Sequence, residues 1–204
     1  MCLPVFAGTP SKAVIPPPPP PAEPSLWNWF IGASAGYLVD FEEPMYHVHV
    51  GVDTPWNVGG FDVALFAELG YTEKSENFSF LVQDPQMSAP VFITQQGKAS
   101  VDIIPLTFNV KLERPIAQNL NFYVGAGLGV AFVDLKVSSP SGSVSDDDTV
   151  FAAQAFAGLV YNVSPAFEVY GGARWIYLDD GDLFGSSADF GDDVLLELGL
   201  RYNF

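Results

Sequence analysis

Apolar and polar residues alternate along most of the chain after Leu26, in segments too short to form a membrane helix. A period of two places successive side chains on opposite faces of a β-strand. The alternation therefore predicts eight strands of about ten residues each. They cover residues 28–39, 46–53, 61–72, 104–113, 120–132, 151–162, 167–177 and 193–204.

The connections between these strands alternate in length. Those at 54–60, 114–118 and 163–166 are short, whereas those that follow the third, fifth and seventh strands are long and polar. We predict loops at 138–149 and 179–192, and a connection that runs to about residue 99. Short turns at one end and long loops at the other are typical of outer-membrane β-barrels. An even number of strands places both termini at the same end.

Aromatic residues on the apolar faces fall near the two ends of the strands, and aliphatic residues fill the middle. Two aromatic rows around an aliphatic band match the two interfaces of a membrane. Near the short turns lie Trp29, Phe61, Phe122, Tyr161, Phe167, Tyr202 and Phe204. Near the long connections lie Tyr37, Tyr46, Tyr71, Phe132, Phe151, Trp175 and Tyr177.

Composition adds a second property, a strong negative charge. The 204 residues carry 24 acids and 8 bases, for a formal net charge of −16, although 49% of the residues are hydrophobic. Nucleic-acid binding needs a basic surface and is excluded. An apolar exterior with acidic connections accounts for both properties, since most acids lie in the long connections.

The last eight residues read Glu-Leu-Gly-Leu-Arg-Tyr-Asn-Phe. They resemble the assembly signal of outer-membrane barrels, carried here by Glu197, Gly199, Leu200, Tyr202 and Phe204. Segments 29–36, 104–110 and 123–130 resemble small eight-stranded barrels of the OmpA/OmpX and opacity-type surface-antigen group.

The resemblance implies an all-β, eight-stranded, antiparallel up-and-down transmembrane barrel with long extracellular loops and short periplasmic turns. The resemblance also implies that the protein is located in the outer membrane of a Gram-negative-type bacterium, with both termini in the periplasm. The expected partners are the barrel-assembly machinery, outer-membrane lipid and lipopolysaccharide, and an extracellular surface ligand; we expect a monomer.

The inward faces carry seven charged residues: Glu68, Lys111, Glu113, Glu168, Arg174, Glu197 and Arg201. An eight-stranded barrel has room inside only for side chains, and buried charges need partners. We expect Arg174 and Arg201 to pair with Glu168, Glu197 or Glu68. Lys111 is expected to pair with Glu113 or another acid. This predicts a plugged interior and a structural or surface-interaction role (envelope integrity, adhesion, surface antigen); the alternative is a narrow ion or small-solute channel.

Two other groups of residues offer catalytic or metal-binding chemistry. His47 and His49 alternate on the second strand and would both point inward, where Asp53 could complete a metal site. No nucleophile accompanies them, so a lipid-modifying enzyme is the third alternative and we expect no catalytic residue, metal or cofactor. The run Asp179, Asp180 and Asp182 offers oxygen ligands for a hard cation such as Ca²⁺.

The N-terminal residues differ from the rest. Residues 1–7 are interpreted as the remnant of a signal peptide, and 8–25 as a proline-rich periplasmic leader before the barrel at 26–204. The six prolines at 16–21 favour polyproline II. Within the longest connection, residues 78–82 and 91–94 would either form a mobile loop or extend two strands as a protruding hairpin open to β-augmentation.

Overall fold

The computed structural model describes residues 27–83, 92–140, 142–183, 186–188 and 190–204. The predicted signal remnant at 1–7 and the leader at 8–25 lie outside the described residues. The strands are β1 (Asn28–Leu38), β2 (Pro44–Val58), β3 (Phe61–Gln83), β4 (Phe92–Ala117), β5 (Leu120–Ser139), β6 (Gly142–Ser164), β7 (Phe167–Leu178), β8 (Gly181–Leu183), β9 (Ser186–Ala188) and β10 (Asp192–Asn203).

Eight of these strands form one closed antiparallel ring, in the order β1-β10-β7-β6-β5-β4-β3-β2. Each strand pairs with its neighbour in sequence, and β10 closes the ring on β1. The predicted up-and-down eight-stranded barrel is thereby confirmed. The strands β8 and β9 form a separate hairpin within the connection from β7 to β10. No helix long and apolar enough to cross a membrane occurs among the residues that the structure describes.

The alternation in β10 shows how the sequence separates the two faces of the wall. Leu195, Glu197 and Arg201 are buried inside the ring, whereas Leu198, between them in sequence, is 71% exposed on the outside. The other strands repeat this pattern, so an apolar band covers the exterior. Its ends carry exposed aromatic side chains, among them Trp29, Tyr161, Tyr202 and Phe204 at the short-turn end, and Tyr37, Tyr46, Tyr71, Phe132, Phe151 and Trp175 at the other.

The pairing register is irregular in each of the three hairpins at the short-turn end. The register shifts between Asp53 and Asn57, between Pro115 and Ala117, and between Asn162 and Ser164. Proline is tolerated at a bulge because the ladder hydrogen bond is already interrupted there. The turns are thus shorter than the segments predicted, and β2 runs to Val58 before the turn at Gly59 and Gly60, both at positive φ.

The structure of the opposite end, here called the loop end, differs from the prediction of long loops. The polar loop predicted at 138–149 is wrong, because β5 and β6 stay paired to Ser139↔Gly142. The connection predicted up to about residue 99 is also wrong in its extent, because β3 and β4 pair as far as Gln83↔Phe92. The four strands β3 to β6 have 20 to 26 residues, where about ten were predicted. The protruding hairpin is the form that the structure adopts.

Four strands therefore rise above the ring as a small sheet, here called the extension sheet. It comprises residues 73–83 of β3, 92–102 of β4, 134–139 of β5 and 142–149 of β6. Pairing between β2 and β3 stops at Met45↔Thr72, so the extension sheet continues where that ladder has ended. At the base of this sheet, Val101 and Leu135 pack against the apolar cluster of the interior. Farther out, exposed residues lie on both faces, so apolar and polar residues need not alternate there, and the periodicity did not predict these strands.

The barrel interior is layered along its axis. Below the loop end, apolar residues pack into two contacting clusters that share Phe41 and Leu178. A layer of buried charges follows, and a hydrophobic cluster of Tyr123, Phe156 and Val160, against which Phe66 and Tyr170 pack, lies beneath it. A second group of charges occupies the short-turn end.

Candidate functional site: the charged interior of the barrel

Arg174 of β7 lies at the centre of the main charged layer, with 3% of its surface exposed. Its Nη2 donates to both oxygens of Glu197, at 3.0 and 3.1 Å, and to Glu68 Oε2 at 3.2 Å. Its Nη1 donates to Glu68 Oε1 and, at 2.9 Å, to Gln154 Oε1. The planar guanidinium thus joins carboxylates from β3 and β10, and its fork of donors suits two carboxylates.

Amide and hydroxyl groups complete this layer. Gln154 Nε2 lies 3.0 Å from Glu68 Oε1, 3.0 Å from Thr107 Oγ1 and 2.6 Å from Asn109 Oδ1. Ser34 Oγ donates to Glu197 Oε2 at 3.0 Å. All of these side chains are buried. A buried charge is tolerated when its hydrogen-bonding capacity is filled, and here five strands supply the partners.

The second charged group lies at the short-turn end. Arg201 of β10 pairs with Asp53 of β2 and, through Nε at 3.3 Å, with Glu168 of β7. Its guanidinium also lies over the ring of Phe30, 3.8 Å from the centroid. Lys111 Nζ lies 2.6 Å from Glu113 Oε2, and Glu113 accepts a further bond from Asn121. Five interior carboxylates therefore face three interior bases.

Aromatic rings fill the space between the two charged groups. Neighbouring centroids are 5.4 to 6.3 Å apart, with tilted or edge-on planes, which is the arrangement favoured by ring quadrupoles. Each ring stands opposite a glycine of the adjoining strand. The pairs are Phe30↔Gly51, Phe66↔Gly51, Tyr123↔Gly158, Phe156↔Gly125 and Tyr170↔Gly199.

The glycines provide the room that these rings occupy. A Cβ atom added at Gly125 would lie 2.3 Å from the Phe156 ring, and one at Gly199 would lie 2.2 Å from Tyr170. Both distances are impossible without moving a ring that is itself packed against others. The period-two glycines are therefore explained by interior packing.

The two histidines lie inside the barrel beside the main charged layer. His49 Nδ1 is 3.8 Å from Glu68 Oε2, and neither nitrogen of His47 has a hydrogen-bond partner among the described residues. Ser34 stands opposite His47 across the β1–β2 ladder, yet its hydroxyl donates to Glu197. Asp53, considered as a third metal ligand, pairs with Arg201. In the described part of the chain, no group of three or more His, Cys, Asp or Glu side chains could hold a metal ion.

The cation loop predicted at Asp179, Asp180 and Asp182 stays a prediction. Asp179 accepts hydrogen bonds from Tyr177 and from the backbone of Asp180. Asp182 belongs to β8, and its side chain lies outside the described part of the structure.

All seven charged residues predicted to face inward do so, and the interior pairs join Arg174 to Glu68 and Glu197, Arg201 to Glu168, and Lys111 to Glu113. Sequence reasoning missed Asp53 as the other partner of Arg201, and it missed Gln154, Asn109 and the interior rings. The period of two placed Asp53 on the inward face with His47 and His49, but as a metal ligand rather than as a partner of Arg201.

The residues of the predicted assembly signal divide between the faces of β10. Glu197 and Gly199 face inward, and Leu200, Tyr202 and Phe204 face outward with 50%, 50% and 69% of their surface exposed. The backbone amide of Phe204 donates to Trp29 O at 2.9 Å, and its ring stacks on Tyr202. The terminal side chain thus makes few contacts within the fold.

A row of carboxylates lies on the outward face where the extension sheet begins. Glu73, Asp102, Asp134 and Asp147 are directly opposite one another on β3, β4, β5 and β6. Tyr71 Oη lies 3.2 Å from Glu73 Oε2 and 3.1 Å from Asp102 Oδ1, and its single proton can be donated to only one of them at a time. Like charges placed directly opposite one another are destabilising, so this row lowers the stability of the sheet.

Comparisons with known proteins identify the architecture. No family model matches the chain, and no curated protein is similar to it in sequence. Among solved structures, it is similar to Neisserial surface protein A, with a TM-score of 0.56 and 11% identity over 88% of this chain and 98% of that one. A major outer membrane protein from Thermus thermophilus gives a TM-score of 0.57 at 10% identity, covering 87% and 99%. The attachment invasion locus protein Ail of Yersinia pestis gives 0.51 at 16% identity, covering 87% and 97%. The chain therefore has the fold of the small outer-membrane β-barrels.

Proposed function

We propose that this chain is a bacterial outer-membrane barrel with a structural or surface-interaction role, its interior sealed by side chains. One observation carries the proposal: the closed ring is apolar outside, with aromatic rows at both ends, and charged inside. A water-soluble barrel would have the opposite polarity. In a bilayer every backbone group must be paired, and closure of β1 on β10 meets that requirement.

The plugged interior supports a non-conducting role. Between the two charged groups the remaining cavity is about 40 Å³, which is enough for no more than a few water molecules. Single-channel recording in planar bilayers tests this. Only brief or undetectable conductance is expected, and a steady conductance near that of a general porin would establish the alternative, a channel.

The extension sheet supports a surface-interaction role, since it is the part of the described chain that projects beyond the apolar band. We place it outside the cell, with both termini in the periplasm. The test compares Ser79→Cys in the extension sheet with Gln118→Cys at a short turn, both in a Cys2→Ser background. A membrane-impermeant maleimide on intact cells should label only the first variant; labelling of only the second would reverse the orientation.

The chemistry of the surface ligand differs from that of one structural neighbour. Ail has been solved in complex with the heparin analogue sucrose octasulfate, a polyanion. The carboxylate row of the present chain would repel such a ligand. The proposed surface ligand is therefore neutral or cationic, and binding of sucrose octasulfate to cells that display the protein would contradict this.

The C-terminal strand is the proposed contact with the barrel-assembly machinery. Because the Phe204 side chain makes few contacts within the fold, its removal separates assembly from stability. Deletion of Phe204 should lower the amount inserted in cells severalfold while in vitro refolding into lipid stays near normal. Equal losses in both assays would show a merely structural role.

A further inference from the structure

A second cavity, of about 220 Å³, opens among the residues of the loop end. It lies above the main charged layer, between the β1–β2 connection and the residues that precede β10. An apolar cavity of about 150 Å³ is already large enough to bind benzene. This one accommodates a single aromatic ring or a short aliphatic chain with a small substituent.

The floor and walls of this loop-end cavity are apolar. Leu38, Met45, Ile103 and Ile176 line it and are at least nine-tenths buried, and Phe41, Leu178 and Phe190 add partly buried surface. These are the side chains of the two apolar clusters described above. Such a surface favours an apolar group, because burying it removes area from water on both partners.

The charged residues that line the rim of the loop-end cavity are all acidic. They are Asp40, Asp192 and Asp193, and none of the cavity's lining residues among the described ones is a Lys, Arg or His. Lys74, which is not a lining residue, donates to the carbonyl oxygen of Phe41 at 3.0 Å and lies 3.8 Å from Glu76. The carboxylate of Asp193 already accepts hydrogen bonds within the fold, from the backbone amides of Asp40, Phe41 and Val194. Asp192 accepts one from the Trp175 indole. Asp40 has no hydrogen bond or ion pair to its carboxylate in the described part of the structure, which leaves it free for a ligand.

From this geometry we infer that the loop-end cavity binds small amphipathic cations, in which an ammonium group is joined to one aromatic ring or a short aliphatic chain. The apolar part enters the cavity and packs on Met45, Ile103 and Ile176. The ammonium group stays at the rim, where the carboxylate of Asp40 is free to pair with it. Charge complementarity selects against neutral and anionic molecules of the same shape. The site uses none of the interior charge pairs.

The test uses the purified, folded barrel in lipid nanodiscs, so its result does not depend on the cellular location proposed above. The probe is 2-phenylethylammonium; 2-phenylethanol and 3-phenylpropionate are its neutral and anionic analogues. Isoleucine δ1 methyl groups report the position of binding by NMR. Ile103 and Ile176 line the cavity, whereas Ile31, Ile104 and Ile116 are exposed on the outer wall and report partition into lipid.

The expected result is a saturable shift of the Ile103 and Ile176 methyl signals, with a dissociation constant on the order of 1 mM or tighter. The alcohol should bind several times more weakly, and the propionate at least ten times more weakly. Equal shifts with all three probes, or shifts confined to the outer-wall methyl groups, would overturn the inference.

Two variants and a matched control complete the experiment. Asp40→Asn should weaken binding of the ammonium probe about threefold to fivefold and leave the alcohol unaffected. Asp180→Asn removes the same charge from an exposed residue that does not line the cavity, and should change binding less than twofold. Ile176→Trp should abolish binding by filling the cavity, and its folding is checked by the outer-wall signals. Unchanged binding in Asp40→Asn, or in a folded Ile176→Trp protein, would reject the site.

Discussion

The strands β3 to β6 belong both to the ring between the two aromatic rows and to the extension sheet above it, and their pairing register does not shift from one region to the other. In the ring, outward side chains are apolar and inward ones carry the charge pairs. In the extension sheet, the outward positions that follow Tyr71 and Phe132 become acidic at Glu73 and Asp134. Because backbone pairing is the same in both regions, the surroundings of each face determine which side chains are suitable.

The largest expected effect comes from the centre of the ring. Arg174→Leu removes the guanidinium between Glu68 and Glu197 and leaves two buried carboxylates, which should cost about 3–5 kcal/mol of unfolding free energy. Urea unfolding of the barrel in lipid vesicles measures this loss. Arg114→Leu, at an exposed position of the short-turn end, is the control and should cost less than about 1 kcal/mol. Similar losses in both variants would contradict the central role of the Arg174 pairs.

The second prediction compares the same change, leucine to arginine, at one position of the ring and at one position of the extension sheet. Leu198 on the outer wall and Leu81 in the extension sheet have nearly equal exposure, 71% and 68%. Leu198→Arg should cost about 2–4 kcal/mol in a bilayer, because the charge enters hydrocarbon. Leu81→Arg should change stability by less than about 0.5 kcal/mol. If the two variants were equally stable in vesicles, the outer wall would not face lipid.

The third prediction concerns the interior rings. Gly125→Ala brings a methyl group against the Phe156 ring and should cost about 1–3 kcal/mol. Phe156→Leu in the same chain should recover part of this loss, because the smaller side chain leaves room for the methyl group. A double-mutant cycle by urea unfolding measures the coupling. Additive losses would show that the glycine is needed for another reason.

The smallest effect is expected in the extension sheet, with the opposite sign. Asp134→Asn relieves repulsion from Asp102 and Asp147 and should stabilise the protein by about 0.2–1 kcal/mol at low salt. The gain should disappear near 1 M salt, where screening acts over about 3 Å. Thermal unfolding at two salt concentrations measures it. Asp180→Asn, which lies outside the carboxylate row, should show a smaller gain in stability. A gain of the same size would show that the effect comes from the net charge of the protein and not from repulsion within the row.

The sequence was sufficient to predict the ring, because all residues on one face of the ring share the same environment. The period of two placed Arg174 and Glu197 inside and Leu198 outside, and sequence spacing suggested the pair Lys111–Glu113. Glu68 was one of three acids expected to pair with Arg174, but which acid each arginine takes was not predicted. The pairs Arg174–Glu68 and Arg201–Asp53 join strands that are not neighbours in the ring. They depend on closure and on how far side chains reach across the interior, which periodicity does not encode.

The β3–β4 part of the extension sheet was one of two alternatives in the sequence analysis, whereas the β5–β6 part was not predicted, for a physical reason. Residues 142–149 are polar on both faces, with Asp147 and Asp148 next to each other, and such a segment has the composition of a loop. The pairing partner across the hairpin holds it in strand form. The loop-end cavity escaped prediction as well, because its wall draws on residues from β1, β4 and β7 that are far apart in sequence.

Closure of the ring has a consequence for the time course of folding. The seam joins β1 to β10, from Phe30↔Asn203 to Leu38↔Leu195, so it cannot form until β10 has been synthesised. Contacts between such distant segments make folding slow. Until then the apolar band and the edges of β1 and β10 are open to other chains, a state prone to aggregation. The chain therefore depends on being kept apart from its copies until the seam has closed.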